Sequence, residues 1–247
     1  MNILTRVLAA AAAMLCVAAP AAASIVITGT RVIFNAAQGE ATVRLTNEND
    51  RPALVEAWID DGNIGSTPDT VHTPFLITPP LFRMDAHKDQ SLRILYVQGA
   101  KPLPTDRESV FWLNVLEIPP KPTGPEYAGK NYLQFAIRSR IKLFYRPAKL
   151  PGNALKAPDQ LSFKAAAGPG AALEVHNPTP YYITIVGVAV GADGKTDGSA
   201  DGMVAPFDDL KLPLKSLAHA PAVGTPIIFT TLNDFGATDS HKGVIAQ

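Results

Sequence analysis

Residues 103–147 read LPTDRESVFWLNVLEIPPKPTGPEYAGKNYLQFAIRSRIKLFYRP. The second half of this stretch predicts one long β-strand over residues 131–145, because its apolar side chains recur at every second position. The strand ends in a cluster of cations. An apolar row of that length must be buried by its own fold or be offered to a partner. The row consists of Leu133, Phe135, Ile137, Ile141 and Leu143.

The chain begins with a pattern typical of a secretory signal peptide. Arg6 precedes an almost wholly apolar segment over residues 7–19, and three alanines before Ser24 offer a cleavage site. A transmembrane anchor would need about 20 apolar residues, so this segment is too short for one. Lipidation at Cys16 is rejected because the two residues before it are not small. We therefore predict a signal peptide over residues 1–23.

Composition excludes several classes of function. Lys+Arg and Asp+Glu number 22 each, and residues 24–247 contain no cysteine. A nucleic-acid binder would normally show an excess of basic residues. Without thiols, the mature chain has no disulfide, no cysteine metal site and no thiol catalysis. No apolar run in it approaches the length of a membrane span.

Short β-type runs with turn signals between them predict an all-β fold. Many such runs in little more than a hundred residues are typical of an immunoglobulin-like sandwich, in which Trp58 on the third strand would be buried. The predicted strands of the first half lie over residues 25–34, 41–47, 54–60, 74–80, 90–97, 109–118 and 131–145.

A second sandwich is predicted after a boundary marked by Pro147, Pro151 and Pro158. The domains are then residues 24–148 and 149–247. Two β-sandwiches joined by so short a link should meet at an angle and leave an interdomain cleft. The predicted strands of the second half lie over residues 160–166, 171–177, 181–190, 210–214 and 225–234.

The sequence contains no convincing active site. The histidines are scattered without metal-ligand spacing, and His176 is interpreted as a satisfied structural residue. Neither a Gly-x-Ser-x-Gly elbow nor a phosphate-binding glycine loop occurs. Residues 193–201 resemble a calcium loop only faintly, since Lys195 and Val204 stand where ligands are needed, and are interpreted as a hairpin loop. We predict no enzyme activity, no metal and no cofactor.

Several blocks of the sequence resemble the periplasmic pilus-assembly (fimbrial) chaperones. Residues 103–120 match the family's signature, and IKLFYRP at 141–147 resembles the end of its first domain. Three more blocks are similar to family blocks: TPP at 78–80, NPTPYY at 177–182 and NDFG at 233–236. The likeness covers essentially the whole mature chain. It implies a boomerang of two immunoglobulin-like domains and a periplasmic location.

The resemblance implies a binding function without catalysis. Chaperones of this family fold and cap pilin subunits by lending them a strand, which is donor-strand complementation, and deliver them to an outer-membrane usher. Leu133, Phe135 and Ile137 match the donor residues; the alternative is that they fill the chain's own core. The implied partners are pilin subunits, the usher and a second copy of the chain in a self-capping homodimer.

The resemblance also assigns two charged sites. Arg31 and Lys142 match the cleft cations that anchor the subunit's C-terminal carboxylate, a group well served by a guanidinium and an ammonium. Glu108, Arg146 and Asp234 match an interdomain ion network that holds the angle of the cleft.

Three questions stay open at this level. Strict alternation places Lys142 on the face opposite the donor residues, so either a bulge or twist intervenes or two faces serve the two tasks. The loop over residues 121–130 favours the short-loop subclass of the family, although its length is intermediate. An adhesive surface protein built of the same sandwiches is the main alternative function. The strand directly after the predicted cleavage site and the short C-terminal segment count against it.

Overall fold

The computed structural model describes residues 25–99, 102–127, 129–166, 170–191, 195–197, 200–215 and 217–247. The predicted signal peptide lies outside these residues. Within them the chain is almost entirely β-structure, with single turns of 3-10 helix at Pro125–Tyr127 and Ala157–Gln160. Two separate apolar cores form, one from each half of the chain. The predicted all-β fold is confirmed.

The first half folds into two sheets packed face to face. One has the strand order β1-β3-β7-β5 and the other β2-β9-β8-β4-β6. The strands are β1 (Ile25–Ile27), β2 (Arg31–Asn35), β3 (Glu40–Asn47), β4 (Ala53–Asp60), β5 (Phe75–Thr78), β6 (Leu81–Met84), β7 (Asp89–Tyr96), β8 (Ser109–Ile118) and β9 (Ile137–Arg146). All pairs are antiparallel except β2 with β9. Alternation builds the core: in β3, Val43 and Leu45 point inward and Arg44 outward.

The predicted first strand is divided between the two sheets. Gly29 adopts a φ of 94° between β1 and β2, a conformation that glycine adopts without steric cost. β1 then pairs with β3 in one sheet, and β2 pairs with β9 in the other. The division brings Arg31 beside the cationic end of β9, which a single unbroken strand would not do.

The predicted strand over residues 131–145 is shorter than expected. β9 begins at Ile137, and residues 131–136 belong to no strand. The last register pair of β8 with β9 joins Glu117 to Ile137. Pro119 and Pro120 follow one residue later, and because proline has no N–H the ladder cannot continue.

Alternation in β9 is unbroken from Ile137 to Arg146. Its register with β8 contains no shift, so no bulge separates Ile137 from Lys142. Leu143 and Tyr145 point into the core between the sheets, whereas Lys142 and the arginines of β9 lie on the outer face. The apolar row and the cations of β9 therefore occupy opposite faces of the same strand.

Trp58 is buried, but not in the core between the sheets. Its neighbours Ala57 and Ile59 belong to that core, so alternation turns the indole to the outer face of β4. There the guanidinium carbon of Arg138 lies 4.8 Å from the centroid of the indole. The predicted burial of Trp58 is confirmed, and the group that shields its indole is an arginine.

The second half wraps one continuous set of strands around its own core. The order is β13-β12-β16-β17-β10-β11-β15, with β14 also paired to β12. A short parallel contact of β10 with β17 joins the two faces of this second sandwich along one edge. The strands are β10 (Ser162–Ala165), β11 (Ala172–His176), β12 (Ile183–Val190), β13 (Lys195–Asp197), β14 (Gly202–Val204), β15 (Asp209–Pro213), β16 (Pro226–Leu232) and β17 (Thr238–Ala246). Part of the predicted hairpin loop is thus β13, and its flanking residues lie outside the described part of the chain.

Candidate functional site: a free strand edge beside a cationic cleft

Half of β9 presents an unpaired backbone edge. β2 pairs with residues 142–146 of β9 and with none of residues 137–141. On the other side β8 pairs with the whole strand. Among the residues that the structure describes, 137–141 therefore have a strand neighbour on one side only. Such an edge offers its N–H and C=O groups to an extended segment of another chain.

Three large apolar side chains stand in solvent at the start of this edge. The exposed fractions of Leu133, Phe135 and Ile137 are 85%, 71% and 55%. The segment before β9 is held by the side-chain amide of Gln134, which donates a 2.6 Å hydrogen bond to the carbonyl oxygen of Pro119. The alternative that these residues fill the chain's own core does not agree with their exposure. Clustered apolar exposure of this kind marks an interaction site.

Two cations lie side by side where the free edge ends. Arg31 of β2 and Lys142 of β9 are register partners in the parallel pair. Arg31 Nη1 donates to the carbonyl oxygen of Leu232 at 3.3 Å, while its buried Nε has no partner among the described residues. The side-chain ammonium of Lys142 makes no hydrogen bond or ion pair to any residue that the structure describes. Two adjacent cations with unused donors form a site suited to an anion.

The pKa values of both cations are depressed. Burial lowers the pKa of Lys142, and the neighbouring charge of Arg31 lowers it further. Burial also lowers the pKa of Arg31, while Asp234 opposes this effect. The protein thus maintains two partly desolvated charges that repel each other, an arrangement that an incoming carboxylate would relieve.

Arg146 joins the two halves of the chain. Its Nε donates to Glu108 Oε1 at 2.6 Å, and its Nη1 and Nη2 donate to the carboxylate of Asp234 at 2.8 and 2.9 Å. Glu108 Oε2 accepts a 2.8 Å hydrogen bond from the backbone N–H of Tyr182. The resemblance named these three charged residues together, and the structure brings all three into contact.

This ion network is partly dehydrated. The side chain of Glu108 is 1% exposed, and burial raises the pKa of its carboxyl group, with Arg146 and the Tyr182 amide opposing the shift. Burial acts to lower the pKa of Arg146, but its bonds to Asp234 and Glu108 outweigh burial and raise it. A buried charge that loses its partner is costly, so separating the halves would cost Arg146 its bonds to Asp234.

Replacing Arg146 by methionine is expected to lower the free energy of unfolding by about 3 kcal/mol, because Glu108 remains buried without its cation. Urea unfolding of purified protein measures this. Arg83→Met is the matched control, since it removes an exposed pair with Asp85 and should cost no more than about 0.5 kcal/mol. The double variant with Glu108→Gln should lose less than the sum of its single variants. Equal losses for Arg146→Met and Arg83→Met would contradict the assigned role.

A second contact between the halves requires a glycine. Gly236 has a φ of 80°, and a Cβ built there would lie 2.3 Å from Thr30 Oγ1. Gly236→Ala should therefore destabilise the protein by about 2 kcal/mol through backbone strain and the forced separation of the two segments. Gly152→Ala is the control, since its φ is 83° and nothing lies within 4 Å of its added Cβ. Equal thermal destabilisation by both variants would show that the Thr30 contact contributes nothing.

Sequence reasoning missed a polar cluster on the outer face of the first sandwich. Asp60 on β4 is fully buried and accepts hydrogen bonds from Asn114 and Arg140. Burial acts to raise the pKa of Asp60, but these bonds outweigh it and lower the pKa. An aspartate ending the apolar strand LVEAWID, with arginines at alternate positions of β9, was the available signal.

Outside these clusters the described residues show no further arrangement of side chains suited to catalysis or to metal binding. His176 is exposed and pairs with Asp209 at 2.8 Å, in agreement with a structural role. Among the described residues there is no group of three or more His, Cys, Asp or Glu side chains suited to a metal ion. The same residues contain no helix of the length and apolar character that crossing a membrane requires.

Two family models match the chain almost end to end. Residues 24–151 match the pili and flagellar-assembly chaperone, PapD N-terminal domain, and residues 156–243 match the pili assembly chaperone PapD, C-terminal domain. The chain belongs to the pilus-assembly chaperone family. The recognition made from sequence is thereby confirmed, as is the fold of two immunoglobulin-like sandwiches.

Curated relatives of this chaperone agree with the assignment. The chaperone protein FimB/FhaD of Bordetella pertussis is 49% identical over 244 residues, which cover 98% of this chain and 96% of that protein. The probable fimbrial chaperone YadV of Escherichia coli is 43% identical over 215 residues, 87% of each chain.

Solved structures share the fold of the chaperone. The crystal structure of the YadV chaperone has a TM-score of 0.75 and 40% identity, and the match covers 90% of this chain and all of that one. A chain from the Salmonella enterica SafA pilin in complex with the SafB chaperone has the same TM-score at 29% identity, covering 92% and 99%.

Proposed function

We propose that this chaperone binds pilin subunits in the periplasm by donating the start of β9 to them. The observation that carries the proposal is the free backbone edge of residues 137–141, with Leu133, Phe135 and Ile137 exposed at one end and Lys142 at the other. A subunit strand laid along this edge would gain main-chain hydrogen bonds. The exposed side chains would meanwhile fill a gap in the subunit's own core.

The apolar side chains supply the binding energy in this proposal. Burying each one would contribute about 1.5–3 kcal/mol before the costs of association. The segment over residues 131–136 forms no strand in the free chain. Pairing with a subunit would extend β9 through it, at the cost of ordering it.

The cations fix the register of the bound strand. Arg31 and Lys142 stand at the position where β2 takes over the edge of β9, so a subunit strand has to end there. A terminal carboxylate placed between them would satisfy unused donors and relieve their mutual repulsion. Apolar filling and carboxylate anchoring are compatible because they use opposite faces of β9.

The remaining functional assignments follow the same proposal. The chaperone is exported by a signal peptide over residues 1–23, acts without catalysis, metal or cofactor, and passes its subunit to an outer-membrane usher. The domains are residues 24–148 and 149–247, a division supported by the two separate apolar cores. Without a subunit, a second copy of the chain covers the exposed donor residues in a self-capping homodimer.

Co-purification tests this function. A C-terminally tagged chaperone is expressed together with a pilin subunit of its own host, and the periplasmic fraction is passed over an affinity column. We expect subunit and chaperone to elute together in equal amounts. The control is a mature pilin that already carries its own complementing strand, and it should not be captured. Equal capture of both forms would contradict strand donation.

A further inference from the structure

A set of four polar residues ties the free half of β9 to the centre of its sheet. We call it the outer-face staple; it consists of Asp60, Asn114, Arg138 and Arg140. Asp60 lies on β4, Asn114 on the central strand β8, and the two arginines on β9. All four lie on the outer face of the sheet, by the unbroken registers of β4 with β8 and of β8 with β9.

Arg140 reaches across β8 to a fully buried carboxylate. Its Nε donates to Asp60 Oδ2 at 3.0 Å and its Nη2 donates to Asp60 Oδ1, which makes the pair bidentate. Asn114 Nδ2 donates to the same Oδ2 at 2.8 Å. The ring of Trp112 lies 4.6 Å from the guanidinium carbon of Arg140 and restricts its position. A bidentate guanidinium–carboxylate pair of this kind is stronger than a single hydrogen bond and fixes the orientation of the two groups.

Arg138, two residues earlier on the same face of β9, completes the attachment. Its Nε and Nη2 donate to Asn114 Oδ1 at 2.9 and 2.7 Å, and its Nη1 donates to the carbonyl oxygen of Ile64 at 2.7 Å. The indole of Trp58 lies beneath it. All three guanidinium nitrogens of Arg138 and two of the three in Arg140 donate within the chain, whereas Lys142 and the Nε of Arg31 have donors to spare.

The location of the outer-face staple suggests its purpose. Within the described part of the chain, residues 142–146 of β9 are held between two strands, but residues 137–141 are held by β8 alone. An edge held on one side frays more readily than a strand held on both. Arg138 and Arg140, which the staple bonds to the neighbouring strands, occupy alternate positions in this weakly held half of β9. It therefore supplies side-chain bonds where the second backbone ladder is missing.

We propose that Asp60 is a positioning residue, which acts through Arg140 to hold residues 137–141 in strand geometry before a subunit arrives. A pre-ordered edge lowers the conformational cost of pairing with the subunit. It also keeps the side chains of β9 alternating between the two faces of the strand, so that Ile137 faces the subunit core while Lys142 faces the subunit's carboxylate. The benefit to subunit binding rests on the proposed function, whereas the ordering of residues 137–141 is a property of the free chaperone.

Amide hydrogen exchange of the free chaperone tests the ordering directly. Asp60→Asn keeps the shape of the side chain and removes the charge that Arg140 binds. We expect exchange of the protected amides in residues 137–141 to become about tenfold faster, and those in residues 142–146 to change less than about twofold. Glu40→Gln is the matched control, because it breaks an exposed ion pair with Arg93 on the other sheet.

Arg138→Met keeps the test decisive if Asp60→Asn fails to fold. It removes the three hydrogen bonds of Arg138 and its 3.5 Å contact with Asp60 but leaves the bidentate Asp60–Arg140 pair intact, so it should speed exchange in the same half of β9 by a smaller factor. Equal acceleration in both halves of β9, or none in either, would overturn the inference. The first result would make the outer-face staple a general stabiliser, and the second would make it irrelevant to the edge.

Subunit capture separates this inference from the proposed function. Under conditions where each variant is folded, Asp60→Asn should reduce recovery of the pilin subunit about fivefold, because the edge must then be ordered on binding. Unchanged recovery despite faster exchange would overturn the link between ordering and capture. Absence of capture by the unaltered chaperone would instead refute the proposed function, and the exchange result would still decide whether Asp60 orders the edge.

Discussion

Replacing Lys142 by alanine is expected to abolish recovery of a pilin subunit while the chaperone remains folded. The side-chain ammonium of Lys142 makes no hydrogen bond or ion pair with any described residue, and burial together with the neighbouring charge of Arg31 lowers its pKa. Its removal therefore relieves repulsion in the free chaperone. In the complex it would remove one of two charge-assisted contacts to the carboxylate, at a cost of about 2–5 kcal/mol.

Two measurements on one preparation check this result. Recovery of co-expressed subunit on the tagged chaperone should fall to background, and the midpoint of urea unfolding should be unchanged or higher. Lys164→Ala is the control, because Lys164 is an exposed lysine on β10, far along the chain from the cleft. Undiminished recovery of the subunit with Lys142→Ala would show that Lys142 does not anchor the subunit's carboxylate.

The second large effect concerns the exposed donor side chains. Phe135→Asp should also abolish capture, because a charge would enter the subunit core in place of an aromatic ring. The chaperone's own free energy of unfolding should change by less than about 0.5 kcal/mol, since the ring is largely in solvent. Leu133→Asp should behave in the same way.

The control for Phe135→Asp is Val223→Asp, which places the same charge at an apolar residue of the second half that is 59% exposed. That variant should capture subunit normally. If Phe135→Asp destabilised the chaperone itself by about 3 kcal/mol and left capture intact, the ring would belong to the chaperone's own core.

Local patterns were sufficient to predict most strands of the first half. β3, β4, β7 and β8 appear within a residue or two of the predicted runs, because alternation with one buried face is a strong signal. The end of β9 was also placed correctly. Its beginning was not, since the limit comes from prolines on the neighbouring strand and no feature of residues 131–136 reveals it.

Features that depend on long-range pairing were not available from sequence. The chain passes from one sheet to the other at Gly29. Predicting this passage would require knowing that β2 pairs with β9, more than a hundred residues later. The strand β6 (Leu81–Met84) was overlooked because it directly follows two prolines. The layer in which Trp58 is buried could not be predicted, because Arg138, which covers it, is distant in sequence.

The charged site came from the family resemblance and could not have come from spacing. Arg31, Glu108, Lys142, Arg146 and Asp234 are ordinary charged residues when considered singly. Their meeting depends on the parallel pair and on the contact between the two halves of the chain. The outer-face staple had no counterpart in the resemblance; the sequence offered only an aspartate at the end of an apolar strand and alternate arginines on β9, and the geometry of three adjacent strands brings them together.

Strand donation is tested most directly by hydrogen exchange on the chaperone bound to a pilin subunit. Peptides covering residues 131–141 are compared between the free and the bound chaperone, with β15 as an internal reference. We expect strong protection of residues 131–141 on binding, as the free edge gains a second strand, and no change in β15. Unchanged exchange in residues 131–141 within a stable complex would contradict donation of this strand.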